Sequence, residues 1–289
     1  MLLATLLSLG LAASHVAYPE EAALVIGGRL VILHVAARSL EAIALPGLVP
    51  EEADISQPDA RKIVVNAKPK GGRHFRLYLV DVPSGKVTPL PDPFAGDERF
   101  PRFSDGGKSL LFTATALDTK GGPQNRGHLF ELRLSDGRIR RLPGSPDLCE
   151  FEPVALAGGH VAHISTTCFL RFNVEDMAVG SGKSRSVAEV GDAAAELAAS
   201  PDGKRYVYTA MDVTGLGFYL IAGSKAPRRI AVVRRMGRRV QPRFICPRDL
   251  VFVNGPRIWA LDTKTGELTN LMSAGLDAAR GGKEGKVEP

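Results

Sequence analysis

The segment GSGKS at residues 180–184 comes nearest to a phosphate-binding loop. A Walker-type loop needs the spacing GxxxxGK followed by Ser or Thr, so that backbone N–H groups at a helix start surround the phosphates. Met177 stands where the first glycine is required. Strand-like segments flank GSGKS on both sides. The sequence therefore predicts a hairpin turn here and no nucleotide site.

Histidine and serine residues offer the next candidates for catalysis. His160 and His163 lie three residues apart in a predicted strand, where alternation sends them to opposite faces and prevents a shared metal ion. Ser200 belongs to a turn motif, and its hydroxyl is expected to bond nearby backbone. We therefore predict no catalytic residue, no metal and no cofactor.

Arginine is concentrated in RRIAVVRRMGRRVQPR, residues 228–243. A guanidinium group matches carboxylates with a rigid fork of donors, and it is the usual cation of protein interfaces. This segment is therefore a candidate binding site for an acidic partner. A solvated surface is the alternative interpretation.

Turns that recur along the chain indicate the elements that carry these groups. FSDGGKSLLFTA at 103–114 matches ASPDGKRYVYTA at 199–210, and ISQPDARKIVVNA at 55–67 is a looser copy with Ala60 in place of Gly. Each copy combines turn residues with a following run of β-branched and aromatic residues, as a tight turn and a strand require. The turn-forming positions are Ser104, Gly107, Ser200, Pro201, Asp202 and Gly203.

A second half follows each turn and strand. It is clearest in LYLVDVPSGKVTPL at 77–90, FELRLSDGRIRRL at 130–142 and IWALDTKTGELTNL at 258–271. The closing apolar residues are Leu45, Leu90, Leu142, Val190, Val232 and Leu271, separated by 45, 52, 48, 42 and 39 residues. Units of this length are typical of propeller blades. We predict an all-β fold over residues 18–273: a six-bladed β-propeller of four-stranded antiparallel blades, whose first strand near 21–27 lies beside the last blade.

The repeat also resembles a known family. PRFSDGGKSLLFTA with HLFELRLSDGRIRRL is similar to the TolB-type, WD40-like propeller repeat, whose pattern runs Pro-x-Phe-Ser-Pro-Asp-Gly-Lys before a strand. The third unit matches at Pro101, Phe103, Ser104, Gly107 and Lys108, with Asp105-Gly106 in place of Pro-Asp. The fifth unit matches from Ser200 to Lys204 in full. The resemblance implies the propeller fold and does not specify a function.

Cysteine positions suggest one covalent link. None of Cys149, Cys168 and Cys246 forms a CxxC pair, which argues against zinc or thioredoxin-type chemistry. Cys149 precedes the first strand of the fourth unit, and Cys168 lies at its connection between second and third strands. These two loop types open on the same face of a blade. We therefore hypothesise a Cys149–Cys168 disulfide, with two separate buried thiols as the alternative.

The two ends of the chain and its overall charge give information about where the protein resides and what it binds. Residues 2–13 are nearly all apolar, and Ala12, Ala13 and Ser14 are small, which predicts a signal peptide over 1–17 and a periplasmic or secreted protein. No apolar run reaches the roughly 18 residues of a membrane span. Residues 274–289 hold no apolar pattern and are predicted to be a disordered tail. The net charge of +6 comes without the aromatic-interleaved basic stretches of nucleic-acid modules.

Together these features favour a binding function. Arg234, Arg235, Arg238 and Arg239 fall in the loop from the fifth to the sixth unit, on the face that also carries the acidic loops 92–98 and 145–150. We expect an exported, monomeric, non-catalytic scaffold that binds an acidic protein segment through this charged loop face. The alternative is a carbohydrate-active or lyase-type enzyme with its site in the central channel.

Overall fold

The computed structural model describes residues 19–94, 96–115, 127–145, 147–167, 171–191, 194–200, 202–223, 226–234 and 239–271. The predicted signal peptide 1–17 and the predicted tail 274–289 lie outside these ranges and stay predictions. No helix among the described residues is long and apolar enough to cross a membrane.

Six antiparallel sheets follow one another along the chain. Blade 1 contains β1 (Glu21–Ile26), β2 (Arg29–His34) and β3 (Ser39–Ile43). Blade 2 contains β4 (Leu48–Ile55), β5 (Lys62–Pro69), β6 (Arg76–Asp81) and β7 (Lys86–Pro89). Blade 3 contains β8 (Glu98–Ser104), a 3-10 turn at Asp105–Gly107, β9 (Ser109–Thr115), β10 (Gly127–Arg133) and β11 (Ile139–Arg141).

The second half of the chain repeats the pattern. Blade 4 contains β12 (Cys149–Leu156), β13 (His160–Thr167), β14 (Arg171–Ala178) and β15 (Lys183–Gly191). Blade 5 contains β16 (Ala194–Ala199), β17 (Arg205–Asp212), β18 (Gly215–Ala222) and β19 (Arg228–Val233). Blade 6 contains β20 (Arg243–Phe244), β21 (Asp249–Asn254), β22 (Arg257–Asp262) and β23 (Leu268–Asn270). The predicted six-bladed β-propeller is confirmed.

Apolar side chains fill the space between neighbouring blades. Six buried clusters form, one at each blade interface. Between blades 5 and 6, the fully buried rings of Phe218 and Phe252 lie 4.6 Å apart between centroids. Between blades 6 and 1, Leu24 packs in one cluster with Val251 and Val253, so the ring closes. Strands inside the blades, such as β5 and β21, thus bury both faces, whereas outermost strands such as β7 stay largely exposed.

Blade 1 differs from the other five by having three strands among the described residues. Residues 44–47 connect β3 to β4, as the outermost strand of each blade leads into the innermost strand of the next. Strands β1 to β3 therefore correspond to the second, third and fourth strands of the other blades. No described strand lies between β1 and the central channel.

The repeated turns adopt the left-handed conformation that their residues predict. Gly203 has φ +65° and Gly107 has φ +85°. In the looser copy Ala60 takes φ +49° without being glycine. The Ser200 hydroxyl donates to Asp202 at 2.5 Å and accepts from the Arg205 N–H at 3.0 Å, so it closes its own turn. Pro201 lies outside the described residues.

Candidate functional site

The two faces of the disc are named here by their connections. The loop face carries the links between blades and the turns between second and third strands. The turn face carries the turns between first and second strands. The central channel joins the two faces.

Bulges in the innermost strands direct side chains into the channel. Phe100, Glu152, Glu196 and Gln241 each take a positive φ, between +49° and +57°. The pairing of β8, β12 and β16 with their neighbours shifts register at these residues. A positive φ is costly for a residue other than glycine and persists only where the surrounding structure enforces it.

The residue after each bulge explains how the strand tolerates it. Pro101, Pro153 and Pro242 have no N–H to leave unpaired, and proline within sheets is found at bulges. Leu197 occupies the same place in β16, and its N–H donates to the Glu152 carboxylate at 2.6 Å. The Pro of the repeat motif is thus a sequence signal for the bulge.

Arg239 lies among three buried glutamates at the loop-face end of the channel. Its Nε is 3.3 Å from Glu52 Oε1, and its Nη1 is 3.2 Å from Glu152 Oε1 and 3.4 Å from Glu196 Oε1. The guanidinium also stacks over Phe100, 4.5 Å from the ring centroid. Only 18% of the Arg239 side chain is exposed. This single arginine bridges blades 2, 3, 4 and 5.

Burial and charge set the protonation of this cluster. Burial opposes the charge of Arg239, but the neighbouring carboxylates together outweigh it and raise the pKa of Arg239, so its guanidinium stays charged. Burial and the neighbouring Glu152 raise the pKa of Glu196, while Arg239 opposes that rise. Two carboxylates that face each other in a dry site hold a proton more tightly than one alone.

The described arginines of the predicted binding loop lie in two different environments. Arg234 is exposed on the loop face, whereas Arg239 turns into the channel. Arg235 and Arg238 lie outside the described residues. Arg239 is therefore not a free surface cation, in contrast to its expected place in an open loop. The sequence could not show this, because the pairing glutamates lie at least 43 residues away along the chain.

The other candidate residues from the sequence lie in a hairpin turn or beside carboxylates within blade 4. GSGKS includes the hairpin turn between β14 and β15. His160 pairs with Asp176 at 2.7 Å, whereas His163 is fully buried 3.7 Å from Glu150 Oε1. Burial lowers the pKa of His163 and favours its neutral form. No group of three metal-binding side chains occurs in the part of the chain that the structure describes.

The cysteine hypothesis stays untested. Cys149 is buried in β12 and faces Thr166 of β13 in the sheet register. Cys168 follows β13 but lies outside the described residues.

Cavities occupy both ends of the channel. The loop-face cavity measures about 520 Å³ and is bounded by Arg239, Gln241, the Gly27–Gly28 turn and the start of β4. The turn-face cavity measures about 360 Å³ and is bounded by the far ends of the innermost strands. Glu52, Glu152 and Glu196 line neither of these two cavities.

The six blades, the closed ring and the central channel define a six-bladed β-propeller. Among solved structures, the chain is similar to TolB from Acinetobacter baumannii, with 16% identity and a TM-score of 0.57 over 72% of this chain and 51% of that one. It is also similar to a protein described as TolB from Agrobacterium tumefaciens, with 13% identity and a TM-score of 0.66 over 88% of each chain. The chain thus has the TolB-like propeller fold, and it spans about half the length of the first of these proteins.

An enzyme shares this fold as well. An oligogalacturonate lyase in complex with manganese matches with 13% identity and a TM-score of 0.52, over 75% of this chain and 63% of that one. No family model matches the chain, and a sequence search against characterised proteins gives no match. Identities this low establish the fold alone.

Proposed function

We propose that this protein is an exported, non-catalytic TolB-like propeller that binds an acidic protein segment at its loop face. The arginine-rich connection between blades 5 and 6 carries the proposal. Arg234 opens this connection and is exposed, and none of the ion pairs among the described residues involves it. Export rests on the apolar segment at residues 2–13.

Two loop-face carboxylates, Asp92 and Asp97, are already engaged within the protein, and Arg234 is the exposed arginine among the described residues of the loop. Asp92 pairs with Arg76, and Asp97 accepts from Arg99 at 2.7 Å. An acidic segment would therefore meet the arginine-rich loop without strong competition from within the protein. Charge complementarity of this kind governs specificity and association rate more than final affinity.

The alternative is an enzyme that uses the channel glutamates. Those carboxylates are the groups that acid–base chemistry would need. However, Glu152 accepts from Leu197, Glu196 accepts from Gln241 N–H at 3.2 Å, and Arg239 contacts both. They are also shielded from the cavities at either end of the channel. These surroundings support a structural role for the cluster and a non-catalytic channel.

The test replaces loop arginines without disturbing the channel. A triple variant, Arg234→Glu with Arg235→Glu and Arg238→Glu, leaves Arg239 in place. We expect it to weaken binding of a labelled twelve-residue Asp/Glu-rich peptide about tenfold or more in fluorescence anisotropy. The melting temperature should stay close to that of the parent protein, because surface charges contribute little to stability.

A matched control separates a local site from net charge. Arg133, Arg138 and Arg140 belong to the β10–β11 hairpin on the turn face, and their replacement by Glu changes the net charge equally. This control should keep peptide binding within a small factor of the parent. Equal losses in the two triple variants, or full binding in the first, would reject the loop-face site. Co-purification from the native envelope with both variants then identifies the partner.

A further inference from the structure

The turn-face cavity has the size and lining of a ligand site. Its volume of about 360 Å³ lies within the range of small-molecule pockets. Most of its wall is apolar, contributed by Ala23, Ile55, Phe103, Val154, Leu197 and Phe244. Such sites combine an apolar wall with a few convergent polar groups that orient the ligand.

Two arginines supply the polar groups. Arg102 of β8 and Arg243 of β20 follow the bulge prolines of blades 3 and 6, and both line the cavity. Arg102 is only 7% exposed, and its Nη1 donates to the Pro101 carbonyl at 2.7 Å. Arg243 donates through Nη1 to the Pro242 carbonyl at 2.8 Å and through Nη2 to the Ala53 carbonyl at 2.9 Å. Neutral carbonyls therefore hold both forks in place without cancelling their charge.

Carboxylates at this cavity are few and already engaged. Asp54 accepts from the Phe103 N–H at 2.8 Å and lies 3.7 Å from Arg243 Nε. Glu21 pairs with His34 at 2.8 Å, and Asp105 is exposed at the rim. The buried guanidinium of Arg102 and the largely buried one of Arg243 thus face one partly buried carboxylate, Asp54, at the cavity wall. The Arg243 Nε is buried without a hydrogen bond, and burial together with Arg102 lowers the pKa of Arg243 to about 10.

The edge of β1 adds backbone hydrogen-bonding groups. Val25 exchanges hydrogen bonds with the Gln241 amide, and the Glu21 carbonyl accepts from Gln57 at 3.3 Å. Ala23 lies between these residues on the same strand edge and lines the cavity. By strand alternation its N–H and C=O point toward the channel. An amide group of a ligand could pair there.

We infer that this cavity binds a carboxylate on an apolar body, with the carboxylate held between Arg102 and Arg243. Paired guanidinium groups recognise a carboxylate through parallel N–H···O bonds, and a dry wall strengthens those bonds. The carboxylate has two sources: a free organic acid, or the terminal residue of a peptide whose amide also meets Ala23. This site lies at the opposite end of the channel from the proposed arginine-rich loop site. It is independent of that proposal.

Matched acids and amides test the inference by isothermal titration calorimetry on the full chain. The probes are hexanoate against hexanamide, and N-acetyl-Ala-Leu against its C-terminal amide. We expect each acid to bind at least about tenfold more tightly than its amide. Tighter binding of the dipeptide than of hexanoate assigns the peptide source, and the reverse order assigns the free acid. Equal binding of acid and amide, or no binding by any probe, overturns the inference.

Variants then locate the site. Arg102→Gln and Arg243→Gln should each weaken acid binding about tenfold, whereas the exposed Arg133→Gln should bind like the parent. Circular dichroism and the melting temperature verify that the variants fold. If either Gln variant is unfolded, Arg102→Lys keeps the charge but loses the fork, and it should weaken acid binding by a smaller factor. Unchanged affinity in the folded variants overturns the assignment. Loss of peptide binding in the loop-face triple variant alone would leave this inference intact.

Discussion

At the scale of single residues, Glu98 is a buried carboxylate with a hydrogen bond to only one of its two oxygens. Its Oε2 accepts from the Leu77 N–H at 3.0 Å, and its Oε1 is buried without a partner. Burial is the main cause that raises the pKa of Glu98 from 4.5 to about 7. The native protein therefore holds this proton at a pH where the unfolded chain has released it.

A pH-dependent loss of stability follows. Because the folded pKa is raised, the contribution of Glu98 is fully present below about pH 4.5 and is lost as pH rises through about 7. Glu98→Gln should remove this pH dependence of the free energy of unfolding. Relative to the parent protein, the free energy of unfolding of the variant should rise by up to about 3 kcal/mol between pH 5 and pH 8. Urea unfolding at the two pH values measures it. Glu267→Gln, at an exposed hairpin position, should keep the parental slope; a parental slope in Glu98→Gln would contradict the assignment.

Arg239 shows at the same scale how context changes the use of a residue. In the sequence it is one of four arginines in a basic loop. In the fold it forms ion pairs with Glu52, Glu152 and Glu196 at once. Removing one partner of a buried group of charges leaves the other charges uncompensated. Substitution of Arg239 is therefore expected to destabilise the fold.

At the scale of elements, hairpin glycines differ in what surrounds them. Gly85 between β6 and β7 and Gly266 between β22 and β23 both have positive φ, +66° and +79°. A Cβ on Gly85 would meet nothing within 4 Å, whereas a Cβ on Gly266 would collide with the Ile230 carbonyl of blade 5. The turn at Gly85 thus has open space around it, whereas the turn at Gly266 packs against blade 5.

This difference predicts unequal effects of one substitution. Gly85→Ala should destabilise the protein by about 1 kcal/mol, because only the backbone conformation resists the new side chain. Gly266→Ala should cost at least about twice as much, since β19 must also move. Chemical denaturation of the two variants beside the parent measures both effects. Equal losses would show that the blade contact at Gly266 has no energetic weight.

At the scale of the whole molecule, the Gln241 side chain links blade 6 to blade 1, where the ring closes. The Gln241 Oε1 accepts from the Val25 N–H at 3.2 Å, and its Nε2 donates to the Val25 carbonyl at 3.1 Å, across 216 residues of sequence. Glu152 and Glu196 bind the backbone of the next inner strand in a related way, but only as acceptors. An amide suits blade 6 because the β1 edge presents both a donor and an acceptor.

Replacing that amide should weaken the closure. Gln241→Glu loses the donor and places a carboxylate against the Val25 carbonyl, which should destabilise the fold by about 1–3 kcal/mol. Gln57→Glu is the matched control, because Gln57 also donates to a β1 carbonyl but lies in a more exposed position. It should cost distinctly less. Identical unfolding midpoints for Gln241→Glu and the parent would argue against closure through this contact.

The sequence by itself determined the local structure: turns, strands, their repetition and hence the propeller. Ser200, Asp202 and Gly203 form the turn that their residue types predict, since its hydrogen bonds and φ angle involve only a few neighbouring residues. The bulge prolines were also visible in the sequence, although their geometry was not.

Only the tertiary structure decided what meets in the channel. Glu52, Phe100, Glu152, Glu196 and Arg239 come from four blades and the loop before a fifth, and none of their pairings is encoded by local spacing. The three strands described in blade 1, and the Gln241–Val25 contact beside them, likewise depend on how the ring closes. Turns repeat because their physics is local. The channel residues depend on long-range packing that places distant bulges at one axis.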